Sequence, residues 1–335
     1  MERTNRALSR RQVLKMGAAA GLSLGALPLT RLAARAAQGR LRLGYTRFWT
    51  EPPIFVGMKK GWFDTPELKT EFTHIPASMR QIEAIVAGDL DAGIVSGSAV
   101  MIAVERGLKV KGIIDHNSYK YNDGLPVAWV VPANSPIKSV KDLKGKQIAI
   151  SSYGSGLDVR TRRLLLDHGI DPKTEAQLLE IPMPKAVASI LTGRLDASCF
   201  PPSFYWDLPK EKIRILENMW YHAESRAHRV PNFFIVMSDD YIAKQRQTAV
   251  AFAKQFLKAA NFCNDNPAEA DSIWSEWAKG KRTVKILYIP RDGRIDAEGA
   301  QEEADMMLSF GYMKRRVDLK KEALDYSIID AALKG

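Results

Sequence analysis

Short apolar runs alternate with amphipathic stretches along most of the chain. The apolar runs are bounded by turn residues, and they predict β-strands. Between them, apolar positions recur at the three- and four-residue spacing of a helix with one buried face. Strands that alternate with helices are typical of βαβ units and a largely parallel sheet. The predicted strands are 41–45, 69–75, 91–95, 110–115, 126–132, 146–150, 177–181, 196–200 and 213–216, and the predicted helices are 52–61, 78–87, 97–106, 155–168, 184–192 and 203–208.

The pattern changes after Pro231. Residues 232–237 form one more apolar run that predicts a strand, and helical periodicity dominates from there to the C-terminus. The segment 249–262 has the strongest helical spacing of apolar residues. Residues 324–333 predict a final helix that packs on the first half of the fold.

One segment is repeated at an offset of 105 residues. Residues 85–92 read IVAGDLDA and residues 190–197 read ILTGRLDA, and the same offset relates the strands 41–45 and 146–150. In each copy an apolar helix ends at a glycine, which can take the left-handed conformation that terminates helices. A short buried strand and a small polar loop then follow. Two copies of one βαβ unit predict two lobes.

The predicted fold class is therefore α/β, with two lobes that each hold a mostly parallel sheet flanked by helices. The chain is expected to cross between the lobes near 126–132 and near 230–236. Lobe I then comprises 38–128 and 232–335, and lobe II comprises 129–231. Ligands of parallel sheets gather beyond the carboxyl ends of the strands, so the facing loops of two such lobes predict a binding cleft.

The first 37 residues have the features of a twin-arginine export signal. Arg10 and Arg11 precede a Gly- and Ala-rich apolar run at 16–29, which is shorter than the roughly 20 residues that span a bilayer. The small-residue sequence Ala34-Arg35-Ala36 follows as a cleavage site. The chain is therefore expected in the periplasm, or an equivalent extracytoplasmic space. The alternative is an ordinary basic helix at the start of a cytosolic protein.

Removal of this segment changes the interpretation of the net charge. Residues 1–37 hold seven basic residues and one acidic residue, so the +11 of the full chain falls to +5. A mildly basic protein without a polybasic block is not expected to bind nucleic acid.

Metal-binding and catalytic patterns are sparse. Cys199 and Cys263 are the two cysteines, too few for a disulfide framework, and they are expected to be buried thiols or, alternatively, one disulfide. None of the five histidines has the spacing of zinc ligands. The sequence Gly154-Ser155-Gly156 lacks the remaining residues of a nucleotide-binding loop. No metal and no cofactor are predicted.

A resemblance to a known family is carried by residues 136–149, PIKSVKDLKGKQIA. They closely resemble the central signature of the periplasmic solute-binding proteins of the nitrate/sulfonate/taurine type, which are related to thiamine-pyrimidine synthesis proteins. Residues 57–63, GMKKGWF, and the two Gly-x-Leu-Asp-Ala repeats match the same family. The resemblance implies a type II periplasmic-binding fold, hinge closure around the ligand and delivery to an inner-membrane ABC permease–ATPase complex. It also implies a monomer, the default for this class.

Candidate ligand contacts lie in the loops expected at the cleft. Short side chains let backbone N–H groups approach a ligand, and the start of a helix is a favourable place for an anion. Arg47 can grip a carboxylate or sulfonate in two places, and aromatic rings suit an apolar ligand body. Each assignment has a plainer alternative, with Ser155 as a helix cap, Arg47 in a surface salt bridge and the rings packed within their lobe. The candidates are Tyr45, Arg47, Trp49, Ser96, Gly97, Ser98, Ser152, Gly154, Ser155, Gly156, Pro202, Tyr205 and Trp206.

These features predict a receptor that binds a small organic anion, such as a sulfonate or an aromatic carboxylate, without chemistry. Two alternatives stay open. One is a desulfinase- or decarboxylase-like lyase on the same fold, for which Cys199 would supply the thiol, although its place within a buried strand disfavours this. The other is a binding protein that docks on a membrane kinase instead of a permease.

Overall fold

Two five-stranded sheets form the framework of the molecule. The computed structural model describes residues 38–46, 51–119, 127–205, 207–218, 229–278 and 289–334. Gln38–Gly335 forms one compact unit. In chain order the strands are β1 (Gly39–Tyr45), β2 (Leu68–His74), β3 (Ala92–Ser96), β4 (Val110–Tyr119), β5 (Ala128–Pro132), β6 (Gln147–Ile150), β7 (Gln177–Glu180), β8 (Ala197–Phe200), β9 (Ile213–Asn218) and β10 (Val230–Ser238).

The two sheets share one strand arrangement. The first has the order β2-β1-β3-β10-β4 and the second the order β7-β6-β8-β5-β9. We call the part of the molecule around the first sheet lobe I and the part around the second sheet lobe II. Lobe I takes the first four strands and the last one, β10, whereas lobe II takes the five strands between them. The two-lobed α/β architecture predicted from the sequence is confirmed, while the predicted limits of the lobes stay a prediction.

Each sheet is mixed, which refines the predicted mostly parallel arrangement. Four strands of each sheet run in one direction, and the fifth, β10 in lobe I and β5 in lobe II, runs antiparallel between two of them. The fifth strand is the one that arrives from the other lobe. Since it enters its sheet at the edge where the neighbouring strands end, it has to run in the opposite direction.

The helices cover the faces of the sheets, close to the predicted positions. In chain order they are α1 (Pro52–Lys59), α2 (Ser78–Ala87), α3 (Gly97–Glu105), α4 (Gly156–Asp167), α5 (Met183–Leu191), α6 (Pro202–Tyr205), α7 (Asp239–Lys244), α8 (Arg246–Asp265), α9 (Pro267–Ala278), α10 (Ala297–Ser309) and α11 (Ser327–Leu333). Helix α11 begins later than the predicted residue 324, because Leu324 has an extended backbone after a π-helical turn at Leu319–Ala323. No helix in these described ranges is both long and apolar enough to cross a membrane.

The internal repeat seen in the sequence is also a structural repeat. Leu43 pairs with Ala92 in lobe I, and the residues 105 positions later, Ile148 and Ala197, pair in lobe II. The repeated aspartate has the same role in both lobes. Asp91 accepts a hydrogen bond from the backbone N–H of Arg42 at 2.7 Å, and Asp196 accepts one from that of Gln147 at 2.9 Å. The repeated sequence therefore includes a carboxylate that joins the start of β3 or β8 to the neighbouring strand through a hydrogen bond.

Apolar side chains fill both faces of each sheet. Phe55, Phe252 and Phe256 are fully buried in lobe I, and Trp129 is fully buried in lobe II. Burial of side chains of this kind contributes about 1.5–3 kcal/mol each.

Helix α10 of lobe I packs on α3 in its own lobe and also on α4 of lobe II. The two lobes therefore share a contact through α4 and α10.

The two cysteines are buried, free thiols. Cys199 lies in the core of lobe II and Cys263 in the core of lobe I. Burial raises the pKa of each thiol to about 12. The open choice between a disulfide and two buried thiols is thereby resolved in favour of thiols.

Candidate functional site

The loops of both lobes meet around a cavity of about 110 Å³. Lobe I contributes the loop at the carboxyl end of β3 and the start of β10, and lobe II contributes the loops that follow β6 and β8. One edge is closed by α4 and α10. The residues that line the cavity are Ser96, Ser98, Ser151, Ser155, Gly156, Leu157, Arg160, Pro201, Val230, Pro231, Asn232, Phe233 and Glu303. Four of the predicted contacts are thus brought together from two lobes: Ser96, Ser98, Ser155 and Gly156.

In lobe I, serine hydroxyls stand at the start of α3. Ser96 is the N-cap residue, and its side chain accepts a hydrogen bond from the backbone N–H of Ala99 at 3.3 Å. Its hydroxyl also lies 3.2 Å from that of Ser98. Gly97 does not line the cavity, and a Cβ atom there would lie 3.1 Å from the Phe234 ring. The glycine therefore lets α3 pack closely on β10, and the residues that line the cavity here are the two serines beside it.

In lobe II, the loop before α4 has the same construction. Ser155 caps the helix by accepting a hydrogen bond from the backbone N–H of Asp158 at 3.3 Å, and its hydroxyl lies 3.1 Å from that of Ser151. The hydroxyl is also within 2.7 Å of the carbonyl oxygen of Ser152, to which it can donate. Ser155 therefore both caps α4 and lines the cavity, whereas Ser152 is exposed and its carbonyl group accepts the Ser155 hydrogen bond.

Gly154 lies outside the cavity lining for a definite reason. Its backbone N–H donates to the buried carboxylate of Asp158 at 2.8 Å, so this donor is already used within the loop. Its φ of +74° is in the left-handed region that favours glycine. Gly154 shapes the turn before α4, and it does not offer its N–H group to a ligand.

The predicted tyrosines are core residues. Tyr45 is buried in lobe I, where its ring packs edge-on against Phe55 and Phe72. Tyr205 is buried in lobe II, and desolvation raises its pKa. Their positions at the ends of β1 and α6 suggested an exposed loop, but the apolar rings turn inward. Pro202 begins α6, next to the lining residue Pro201, and Arg47, Trp49 and Trp206 lie outside the described residues.

The charged groups of the site were missed by the sequence analysis. Arg160 lies one turn into α4, and its guanidinium forms an ion pair with the carboxylate of Glu303 from α10 of the other lobe. Both side chains are largely buried, with exposed fractions of 13% and 7%. A signal for Glu303 was present, because an acidic residue stands there on the apolar face formed by Ala300, Ala304 and Met307. Nothing local in the sequence of α4 distinguished Arg160 from the other arginines of that helix.

A second polar contact joins the lobes beside this ion pair. The hydroxyl of Tyr312 in lobe I donates to the carboxylate of Asp158 in lobe II, which is also bound by Arg162 at 2.8 Å. Burial and the neighbouring carboxylate raise the pKa of Tyr312 to about 12, so the hydroxyl keeps its proton at neutral pH. Asp158 thus binds the turn before α4, the helix itself and lobe I.

The glycines before α4 make room for these contacts. A Cβ atom at Gly154 would lie 3.3 Å from the ring of Tyr312, and one at Gly156 would lie 3.1 Å from Oε1 of Glu303. Side chains at both positions would press against lobe I. The Gly-Ser-Gly sequence therefore serves the approach of two lobes as well as the cavity.

A metal centre is not supported by the side chains that the structure describes. Within the ranges given above, no three His, Cys, Asp or Glu residues form a group that could hold a metal ion. The residues with side-chain donors that line the cavity are four serines, Arg160 and Asn232. This set suits hydrogen bonding to an oxyanion better than coordination of a cation.

Comparison with known proteins gives a consistent result. The model of the NMT1-like family matches residues 34–277. A Bacillus subtilis (strain 168) protein named for aliphatic sulfonate binding is 26% identical over 296 residues, which cover 84% of this chain and 85% of that protein.

Solved structures share the fold. The periplasmic aliphatic sulphonate binding protein SsuA from Escherichia coli superimposes with a TM-score of 0.68 at 19% identity, over 85% of this chain and 92% of its own. The periplasmic nitrate-binding protein NrtA from Synechocystis PCC 6803 gives a TM-score of 0.68 at 13% identity, over 89% of each chain. At these identities the likeness shows the fold of periplasmic binding proteins.

Proposed function

The chain belongs to the NMT1-like family, and from that premise we propose that it is the solute-binding component of an ABC importer, which closes on a small organic anion. The observation that carries this proposal is the cavity, which lies between two lobes and is lined by a guanidinium and serine hydroxyls from both sides. The relatives named for sulfonate and nitrate binding support a solute with an acidic, oxygen-rich group.

The chemistry of the cavity supports an oxyanion. Arg160 offers a planar set of N–H donors that can bind two oxygen atoms at once. Ser96, Ser98 and Ser151 add hydroxyl donors beside Ser155, and the start of α4 adds the positive end of its dipole. Phe233 and the neighbouring proline and valine residues provide an apolar wall for a short carbon body.

The size of the cavity favours a compact ligand. Sites for drug-sized molecules are roughly 300 Å³ or larger, whereas this cavity is about 110 Å³. We therefore propose a small sulfonate or carboxylate. Arg47, Trp49, Pro202 and Trp206 remain proposed contacts that rest on the sequence pattern.

Ligand transfer requires the lobes to separate and close. We propose that the crossing segments near 126–132 and 230–236 act as the hinge, since β5 and β10 are the strands through which the chain passes between sheets. A ligand that contacts both lobes binds the closed arrangement better than the open one, and it shifts the equilibrium accordingly.

The cellular setting is proposed from the sequence and from the periplasmic relatives. Residues 1–37 would direct twin-arginine export and be removed near Ala36, which leaves a monomeric protein in the periplasm. Its partners would be the Tat machinery during export, and afterwards a permease–ATPase complex.

We further propose that the protein performs no chemistry on its ligand. The relatives described above are named as binding proteins, which agrees with this view. The lyase alternative would need a reactive thiolate at Cys199, but this side chain is fully buried and its pKa is raised to about 12. No observation favours the kinase-linked alternative over transport.

A thermal-shift screen of the exported, processed protein tests the proposed function. The panel contains nitrate, alkyl and aryl sulfonates, aromatic carboxylates and pyrimidines. A ligand at about 100 times its Kd stabilises the folded protein by about 2.7 kcal/mol. Each hit is then measured with Arg160→Gln and with the matched control Arg163→Gln, which removes the same charge from the same helix at a surface ion pair with Asp167.

The expected result is a hit among the compact oxyanions. Arg160→Gln should lower the affinity for this ligand about 10- to 100-fold, because a hydrogen bond to a charged group contributes about 1.5–3 kcal/mol. Arg163→Gln should leave the affinity unchanged. Equal affinities for the wild type and Arg160→Gln would refute the proposed site. A ligand recovered in chemically altered form would instead support the enzyme alternative.

A further inference from the structure

The guanidinium of Arg160 is the group that an acidic ligand would bind, and the carboxylate of Glu303 already binds it. Of the described residues that line the cavity, these two are the ones with charged side chains. They come from different lobes, and they are 143 residues apart in the sequence. The charge of the guanidinium is therefore already neutralised by a side chain of the protein itself.

Burial explains why these two side chains form a pair. A guanidinium that is only 13% exposed has a large desolvation penalty if its charge is unpaired, and the same holds for a carboxylate that is 7% exposed. Gly156 leaves room for the carboxylate, because a Cβ atom there would lie 3.1 Å from Oε1 of Glu303. The missing side chain at Gly156 in lobe II thus allows Glu303 of lobe I to reach Arg160.

We propose that Glu303 is a built-in competitor of the ligand for Arg160, a role that rests on the proposed function. Before a ligand enters, the Glu303 carboxylate binds the guanidinium at the position that the acidic group of the ligand would take. When an anion binds, its oxygen atoms replace the Glu303 carboxylate at the guanidinium. The affinity for an acidic ligand is then set by the difference between two ion pairs, and Glu303 determines which anions bind strongly enough to exchange.

The contact between Tyr312 and Asp158 provides an internal comparison. It joins the same two lobes beside the same helix, but neither side chain lines the cavity and neither one binds Arg160. If Glu303 acted only by holding the lobes together, loss of the Tyr312 hydroxyl would have a similar effect on ligand affinity. Competition instead predicts an effect at Glu303 alone.

The experiment is a calorimetric titration with ethanesulfonate as the probe anion. It compares the wild type with Glu303→Gln and Tyr312→Phe, and with Glu302→Gln as a matched control at an exposed position of the same helix. A fourth variant combines Glu303→Gln with Arg160→Gln. The melting temperature of each variant confirms that it is folded, and Glu303→Met repeats the test with no acceptor at that position.

Glu303→Gln should bind ethanesulfonate about 10- to 100-fold more tightly than the wild type, because a charged hydrogen-bond partner no longer has to be displaced. The double variant should lose this gain, and Tyr312→Phe and Glu302→Gln should stay within about twofold of the wild type.

Two results would refute the proposed competition between Glu303 and the ligand. One is unchanged or weaker binding by both Glu303 variants, and the other is an equal change in Tyr312→Phe. Failure of the proposed function looks different, since Arg160→Gln would then bind the screened ligands as well as the wild type does.

Discussion

Two neighbouring buried groups in β4 should give the stability of this protein an unusual dependence on pH. Asp115 and His116 are fully buried, and among the residues that the structure describes, both nitrogens of His116 and one oxygen of Asp115 lack a hydrogen-bond partner. Desolvation raises the pKa of Asp115 from 3.8 to about 7, although the hydroxyl of Ser118 and the charge of Arg229 partly oppose it. Desolvation lowers the pKa of His116 from 6.5 to about 3.

The two shifts act in opposite directions. Between about pH 4 and pH 7 the unfolded chain has lost the Asp115 proton that the folded protein keeps, so stability falls as the pH rises. Between about pH 3 and pH 6.5 the unfolded chain binds a proton at His116 that the folded protein excludes, so stability rises with pH. Each change amounts to about 4–5 kcal/mol over its window, at about 1.4 kcal/mol per pH unit. In the overlap from about pH 4 to 6.5 the two contributions cancel.

Asp115→Asn should remove one of these opposing contributions. The variant should gain stability relative to the wild type as the pH rises from 4 to 7, by a total of about 4 kcal/mol. Urea unfolding, followed by tryptophan fluorescence at half-unit steps from pH 4 to 8, gives the free energy of unfolding of each protein. Asp89→Asn, at an exposed position in the same lobe, is the matched control. Parallel curves for the wild type and Asp115→Asn would refute the reasoning.

Two further predictions follow from buried contacts. Cys199 and Cys263 should not react with a thiol reagent at pH 8 until the protein is unfolded, because burial raises both pKa values to about 12; rapid labelling of the folded protein would contradict this. Asp91→Ala should lower the free energy of unfolding more than Asp196→Ala, by about 1–3 kcal/mol against about 1 kcal/mol in urea titrations, because Asp91 binds both the backbone and the guanidinium of Arg42. The reverse order would show that the repeated aspartates do not act as described.

The alternation of apolar and polar positions was sufficient to predict most elements of the fold. Strands and helices follow from local periodicity, and the glycines at 88 and 193 end their helices with positive φ in both copies. The repeat at 105 residues revealed the two lobes, because equal sequences form equal βαβ units. Ser96, Ser98, Ser155 and Gly156, which line the cavity, were predicted for the same reason, since the carboxyl ends of strands locate the loops of a cleft.

Other residues of the site could not be assigned from local pattern. Tyr45 and Tyr205 stand at the ends of elements, where a ring can face either the cleft or the core, and only packing directs both inward. Gly154 and Gly156 suggested a ligand-binding loop, but their lack of side chains also serves Tyr312 and Glu303 across the cleft.

The sequence by itself determined the two α/β lobes, their repeated unit and the loops that face the cleft, because these depend on the spacing of residues close together in the chain. The tertiary structure alone decided which charges meet there. Arg160 and Glu303 are joined by the packing of α4 on α10, between elements from different lobes. No local pattern records such a contact, since it arises from the way in which two separately folded sheets are brought together.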